Sequence, residues 1–298
     1  MICRAVKAGA RVAGHGWPLV LALGVSACQP PRPTLTPHVH YEVGAAYQAD
    51  GVWHYPQQDL SYRATGLAVI DPPTDASRLT ADGEVYDPQA MAGAHPTLQL
   101  PAQVTVRNLD NGREITIRIN DRGPVQRGRL LSLTPQAARM LAMSTSPARV
   151  EIIEDELPSR MFAETLPGGP LLNMQAAPVE QVTVNALDGK NGVVQTSTSP
   201  AAVGSSYAPV TALAALPVTA RQEWAVPTSL WIEIGRFTQR SYAALAAMRA
   251  GGTVSASDDD RGPLWRVRVG PFTRVDEADA ALDRALAAGL TGAHIVVE

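Results

Sequence analysis

Glu84 and Asp87 flank Tyr86 just after an Asp82-Gly83 turn, His95 lies eleven positions beyond Glu84, and Asp121 closes an alternating stretch at Ile119-Asn120-Asp121. These are the residue types of general acid/base chemistry. A carboxylic acid gives a proton to a leaving oxygen, its conjugate base takes one back, and an imidazole holds a neighbour's charge state. Each also has an ordinary structural use: a turn aspartate bonded to backbone amides, or a histidine satisfied inside a core. The elements around them decide which use applies.

Those elements read as a β-rich domain from Tyr41 to about Glu154. Val104-Thr105-Val106 and Ile115-Thr116-Ile117-Arg118-Ile119 alternate apolar and polar residues, as half-buried strands do. Asn111-Gly112 between them is the usual chemistry of a hairpin turn. Thr134-Pro135 opens a helix, with threonine as N-cap and proline at the first helical position, and Ala137, Ala138, Leu141 and Ala142 supply its packing face. Arg149 to Ile153 forms a closing strand. Asp121 then stands where a strand ends and a loop opens. Trp53, in Gly51-Val52-Trp53-His54-Tyr55-Pro56, is a candidate for stacking on a sugar or for packing onto the domain.

The second half is organised differently. Only six of the 66 positions from 157 to 222 are charged, and no helical or strand period persists, so residues 156–223 are expected to be a flexible linker. The last stretch, residues 224–298, contains a duplication: Trp231 to Phe237 is echoed by Val267 to Phe272, with Gly235/Gly270 and Phe237/Phe272 both 35 apart. Each copy runs into a threonine, Thr238 or Thr273, and then an alanine-rich amphipathic stretch. Thr273 and Asp276 have the spacing of a capping box, and Gly251 and Gly289 are natural helix stops. The order is β-α-β-β-α-β, a small sheet with two helices on one face.

At the other end, Arg4, Lys7 and Arg11 precede a short apolar run, Leu19 to Val25, and then Val25-Ser26-Ala27-Cys28. The run is too short to span a bilayer and has the form of an export signal over residues 1–27. A small residue before a cysteine is the lipoprotein processing pattern, which makes Cys28 the lipidated residue and the membrane anchor. Gln29, where aspartate would favour the inner membrane, favours the outer. Cys3 and Cys28 are the two cysteines, so the mature body would carry no disulfide. Residues 28–40 are a proline-rich tether, and His38 and His40 lack a third ligand at a characteristic spacing, so neither metal nor cofactor is implied. Without Arg4, Lys7 and Arg11 the 25 basic residues become 22 against 28 acidic, which makes nucleic acid a poor partner and a neutral polymer a better one.

Three phrases in the first domain, Thr80-Ala81-Asp82-Gly83-Glu84-Val85-Tyr86-Asp87, Ala92-Gly93-Ala94-His95 and Asn120-Asp121-Arg122-Gly123-Pro124, resemble the rare lipoprotein A (RlpA) family. The C-terminal part, most specifically Val267-Arg268-Val269-Gly270-Pro271-Phe272, resembles the SPOR domain. The resemblance implies a six-stranded double-psi β-barrel over residues 41–155, joined by the linker to a small α+β SPOR domain. It implies a periplasm-facing protein that cleaves or binds septal peptidoglycan, with division-machinery proteins as possible partners. Asp121, Glu84 and His95 would be catalytic, Asp87, Tyr86, Arg122 and Asn120 would bind substrate, and Trp231, Glu233 and Arg268 would bind glycan in the SPOR domain.

The reaction so implied is that of a lytic transglycosylase. A carboxylic acid protonates the oxygen between N-acetylmuramic acid and N-acetylglucosamine, and the muramoyl 6-hydroxyl then attacks its own anomeric carbon, giving a 1,6-anhydro end. One carboxyl can serve both steps, provided that burial or a neighbouring negative charge keeps it protonated near neutral pH. Asp121 is the expected group. Two departures bear on this. Gly66-Leu67-Ala68-Val69-Ile70-Asp71 lacks the family's aromatic cluster, and Ser132 stands where the family has an aspartate before its helix. The rival readings are a catalytically inactive lipoprotein that tethers the outer membrane to the wall, and an expansin-like protein that loosens glycan without cutting.

Overall fold

The computed structural model describes residues 35–72, 78–170, 209–259 and 262–298. The export signal, Cys28 and most of the tether, together with linker residues 171–208, lie outside the described residues. Of the described residues, Leu35–Glu298 form one compact unit.

A short hairpin, β1 (Tyr47–Ala49) and β2 (Val52–His54), precedes the barrel strands β3 (Arg63–Ile70), β4 (Ala92–Ala94), β5 (Ala102–Asn108), β6 (Arg113–Asp121), β7 (Leu131–Leu133) and, after helix α1 (Pro135–Met140), β8 (Ala148–Glu154). Hydrogen bonding runs β4-β7-β3-β8-β5-β6, and β4 pairs with β6 to close a ring of six. Two of the pairs are parallel, β3 with β7 and β4 with β6. Closure leaves no exposed edge in the ring and gives it a single interior. The alternating residues fill that interior: Val104, Val106, Ile115, Ile117, Ile119, Leu131, Leu133, Val150 and Ile152 are all buried in one cluster. Thr134 Oγ1 accepts from Ala137 N at 3.3 Å, the N-cap that its position before proline predicts.

The expected linker is structured at both of its described ends. Helix α2 (Glu156–Thr165) follows β8 directly. Ser159 Oγ accepts from Gln103 N at 3.0 Å, and Ala163 packs with Val39, Tyr41 and Leu166. Small and polar side chains make these contacts, so the sequence carries no strong apolar stripe to announce the helix. Beyond the undescribed stretch, Val39 N donates to Val210 O at 2.8 Å, and Leu216 and Ala220 pack against the barrel core. Strand β9 (Arg221–Gln222) then pairs with β6, with both side chains exposed and Arg221 Nη1 reaching Glu114 Oε1 at 4.0 Å, which leaves no buried pattern to read.

The last domain has the expected order: β10 (Leu230–Phe237), α3 (Arg240–Ala250), β11 (Thr253–Asp259), β12 (Gly262–Phe272), α4 (Val275–Ala287) and β13 (His294–Val297). The antiparallel sheet runs β11-β12-β10-β13. Leu230, Ile232 and Ile234 pack with Ala243, Ala246 and Ala247 of α3 and with Ala278, Ala281 and Leu282 of α4. The capping box does not form. Arg274 is the N-cap residue, with no side-chain cap bond, and its guanidinium takes the Asp276 carboxylate at 2.7 and 2.9 Å. This domain lies against β3 of the barrel: Thr65 Oγ1 donates to Val297 O at 2.7 Å, Arg129 meets Asp279 through two bonds of 2.7 and 2.8 Å, and Leu67 is fully buried among SPOR-side residues.

Candidate active site

The turn bearing the first acidic phrase is a tight hairpin held from inside. Leu79 bridges Val85, Thr80 N donates to Glu84 O at 2.8 Å, and Tyr86 N donates to Arg78 O at 2.9 Å. Asp82, with no exposed surface, accepts from Thr80 Oγ1 at 2.7 Å and from Glu84 N at 3.1 Å. Burial, and secondarily the Glu84 charge, push its carboxyl up to about 7. Gly83 has φ +86°, and a Cβ there would sit 2.2 Å from His38 O, so the approach of residues 38–40 to this turn requires glycine.

Glu84 points away from the turn and meets two residues of β6. Arg118 donates through Nη2 at 2.8 Å and Nε at 3.2 Å, and Asn120 Nδ2 donates at 2.7 Å. Glu84 and Arg118 are both buried. The remaining Arg118 nitrogen, Nη1, donates to Ala214 O at 2.9 Å, which seats the segment after the undescribed stretch on this site. Glu84, Asp87, Arg118, Asn120, Thr211 and Leu216 line a cavity of about 460 Å³. Asp87 is exposed, with Oδ1 accepting from Gln89 N at 2.8 Å.

Asp121 belongs to a second cluster. Arg78 Nη1 makes a short ion pair with its Oδ2, while Oδ1 accepts from Ala81 N at 3.1 Å and Arg122 N at 2.9 Å. The Arg78 guanidinium carbon stands 4.4 Å from the centre of the Tyr86 ring. Every one of these partners is a hydrogen-bond donor. Asp71 does stand beside this cluster with a raised pKa. Burial is the main cause and the Asp121 charge adds to it, while hydrogen bonding to Ser132 and the Arg78 charge work against them.

His95 is buried and Arg122 is half-buried. The His95 ring is wholly buried, with Nδ1 accepting from Thr97 N at 3.2 Å and Leu98 N at 3.1 Å and Nε2 3.1 Å from Tyr62 Oη. Its partners are a phenol and two loop amides in place of the expected carboxylate. Arg122 donates to the carbonyls of Leu98 and, at 2.6 Å, Val43, fastening the N-terminal extension to the barrel. Trp53 is 57% exposed on the β1–β2 hairpin, 6.5 Å between ring centres from Tyr55.

Burial, and then the Arg122 charge, push the His95 imidazole down to about 3. The unfolded chain takes up that proton near pH 6.5. Stability from this group is therefore complete above pH 6.5 and is lost as pH falls towards 3, by about 1.4 kcal/mol per pH unit. Urea unfolding at pH 6.5, 5.5 and 4.5 should show a slope smaller by about one proton in His95→Gln than in wild type. Parallel slopes would mean that His95 protonates within the fold.

In the SPOR-like domain, Trp231 and Glu233 lie on β10 between the core-facing residues. Arg268 stands over the Trp231 ring at 4.7 Å. Glu233 accepts from Arg266 Nε at 2.7 Å and Arg236 Nε at 3.0 Å. Burial alone would raise its pKa, but the Arg266 hydrogen bond and charge outweigh that and hold the carboxyl below the usual range. The three residues expected to act here share one face of the sheet, opposite the helices.

A family model described as "Lytic transglycolase" matches residues 71–152, and one described as "SPOR domain" matches residues 227–296. An endolytic peptidoglycan transglycosylase RlpA of Pseudomonas aeruginosa PAO1 is 31% identical over 255 residues, covering 82% of this chain and 74% of the relative. The chain belongs to the RlpA family. An RlpA of Escherichia coli K12 is 45% identical over 101 residues, 34% of this chain and 28% of that one. A crystal structure of the RlpA SPOR domain from Pseudomonas aeruginosa aligns with 22% of this chain and 96% of its own, at 25% identity and a TM-score of 0.22.

For this RlpA-family barrel, sequence reasoning missed the cations and two carboxyls. Arg118 occupies an outward position of the alternating β6 strand, a signal that it faces a polar partner, but Glu84 is 34 positions away and nothing local names it. Arg78 and Asp71 fall outside the phrases that carry the resemblance, and Asp82 reads as an ordinary turn residue.

Proposed function

We propose that this chain is a lytic transglycosylase that cleaves peptidoglycan glycan strands without water, leaving 1,6-anhydro ends. The observation that carries the reading is the joining in one chain of a lytic-transglycolase barrel and a SPOR domain, with 31% identity to an RlpA transglycosylase over most of both. In the proposal Asp121 acts as an anion that stabilises positive charge developing at the muramoyl anomeric carbon and receives the 6-hydroxyl proton. Glu84, Asn120 and Asp87 shape the adjoining cleft, Tyr86 and Arg78 frame Asp121, and His95 and Arg122 hold the loop at Thr97 and Leu98. The SPOR domain brings the barrel to strands stripped of stem peptides, the substrate preference we propose. Cys28 carries a lipid that anchors the protein to the outer membrane, facing the periplasm, and division-machinery proteins recruit it to the septum.

The test is incubation of the protein with amidase-treated and untreated sacculi, followed by mass spectrometry of the soluble products. Release of anhydro-ended glycans supports the enzyme. Co-pelleting with no release would establish the wall-binding tether, which Ser132 and the missing aromatic cluster favour. For the SPOR face, Trp231→Ala removes a ring already placed under Arg268, and binding to denuded sacculi should weaken about tenfold, roughly 1.4 kcal/mol. Unchanged pelleting would remove Trp231 from the glycan surface.

A further inference from the structure

The sheet register brings one more carboxyl onto the face that carries Asp121. Ala94 of β4 pairs with Ser132 on one side and with Asp121 on the other, and Ser132 pairs in turn with Val69 of β3. Paired residues point to the same side of a sheet. Leu131 and Leu133 fill the barrel interior, so this row, including Ser132, faces outward. The β4 and β7 backbones run close together here: a Cβ on Gly93 would lie 2.5 Å from Ser132 O. Asp71 lies two positions beyond Val69, and its N–H donates to Leu133 O at 2.8 Å, so the chain is still held in register and Asp71 returns to the face of Val69 and Ser132.

Among the described residues, the groups facing Asp71 are Ser132 from β7, Asp121 from the end of β6, Arg78 from the loop after β3 and Tyr86 from the turn before β4. Arg78 is the one cation in this set, and its guanidinium is engaged by Asp121. The two carboxyls therefore have opposite surroundings. Asp121 is filled with N–H donors. Asp71 is raised by burial first and by the Asp121 charge, against a hydrogen bond to Ser132 and the Arg78 charge, which lower it. Two neighbouring carboxyls in unlike surroundings can divide the roles of acid and base.

We propose that Asp71 is the proton donor of the reaction, with Asp121 as its anionic partner, an assignment that rests on the transglycosylase reading above. The Asp71 carboxyl gives its proton to the glycosidic oxygen as the bond from that oxygen to the muramoyl anomeric carbon breaks. The bonding electrons leave with the oxygen, which departs as a hydroxyl of N-acetylglucosamine. The muramoyl 6-hydroxyl oxygen attacks the anomeric carbon and closes the 1,6-anhydro ring, and its proton passes to Asp121. Transfer of that proton from Asp121 to Asp71 restores both groups, and no water is consumed. The carboxyl that Ser132 does not supply is in this way supplied by the strand beside it.

The experiment compares full-length wild type, Asp71→Asn, Asp121→Asn and Ser132→Ala on amidase-treated sacculi, reading anhydro products by mass spectrometry and binding by pelleting. Asp71→Asn should lose at least about 100-fold in release while pelleting within about twofold of wild type. Ser132→Ala removes a hydrogen bond that favours the Asp71 anion, so the alkaline limb of its pH–rate profile should move up by about half a unit to one unit. That second readout decides the matter even if Asp71→Asn folds poorly. Release by Asp71→Asn within about threefold of wild type, or an alkaline limb unmoved by Ser132→Ala, overturns the assignment. If Asp121→Asn is inactive in the same assay, the enzyme reading survives that failure. If wild type releases nothing at any pH, the transglycosylase reading fails and the Asp71 assignment falls with it.

Discussion

Asp121→Asn is expected to lower the release of soluble anhydro products from denuded sacculi by about 1,000-fold, equivalent to roughly 4 kcal/mol of transition-state stabilisation. The substitution is nearly isosteric. Its carbonyl oxygen can still accept from Ala81 N and Arg122 N, so the turn and the strand end should keep their shape. What it removes is the negative charge opposite Arg78 and the group that takes the 6-hydroxyl proton. Without that charge Arg78 loses its ion-pair partner and Asp71 loses the anion that helps keep its proton. Retained pelleting alongside lost release would place the defect in the chemistry and not in the fold. Release within threefold of wild type would show that Asp121 is a turn residue and that the acid/base work lies elsewhere.

The largest stability effect should come from Glu84→Gln. Glu84 is the anion that Arg118 meets beneath the turn, and both side chains are buried. Removing one member of a buried pair leaves the other charge uncompensated, which costs about 3–5 kcal/mol, or roughly 10 °C in the thermal midpoint of a domain this size. Two features modulate the loss. Arg118 keeps its bond to Ala214 O, and Asp82, which the Glu84 charge helps push up to about 7, is relieved. The double substitution Glu84→Gln/Arg118→Met should recover most of the midpoint, because it removes the stranded cation as well. A single-variant shift under about 2 °C would mean that the pair is solvated and that Glu84 is free for substrate.

Much of the fold was legible in the chain itself. The alternation of Val104–Val106 and Ile115–Ile119 gave β5 and β6, Thr134-Pro135 gave the start of α1, and the 35-residue echo of Gly235 and Phe237 gave the β-α-β-β-α-β domain. The turn phrase and Asn120-Asp121-Arg122 mark the candidate site. Legibility ended where contacts are small, polar or exposed. Helix α2 docks through Ser159 and Ala163, β9 pairs with no buried side chain, and the 209–222 segment lies across the Glu84 cleft in a stretch whose composition suggested only a linker.

The sequence by itself determined which faces are buried, because burial leaves a period of two in strands and a cap-and-stop grammar at helices. The tertiary structure alone decided who meets whom across the closed ring. Glu84 finds Arg118, Asp121 finds Arg78, His95 finds Tyr62 in place of a carboxylate, and Asp71 comes beside Ser132. Those pairings depend on strand register and on the parallel crossings that shut the barrel. Residues tens of positions apart leave no mutual mark on the chain, yet the distances between them set which charges and hydrogen bonds each carboxyl meets.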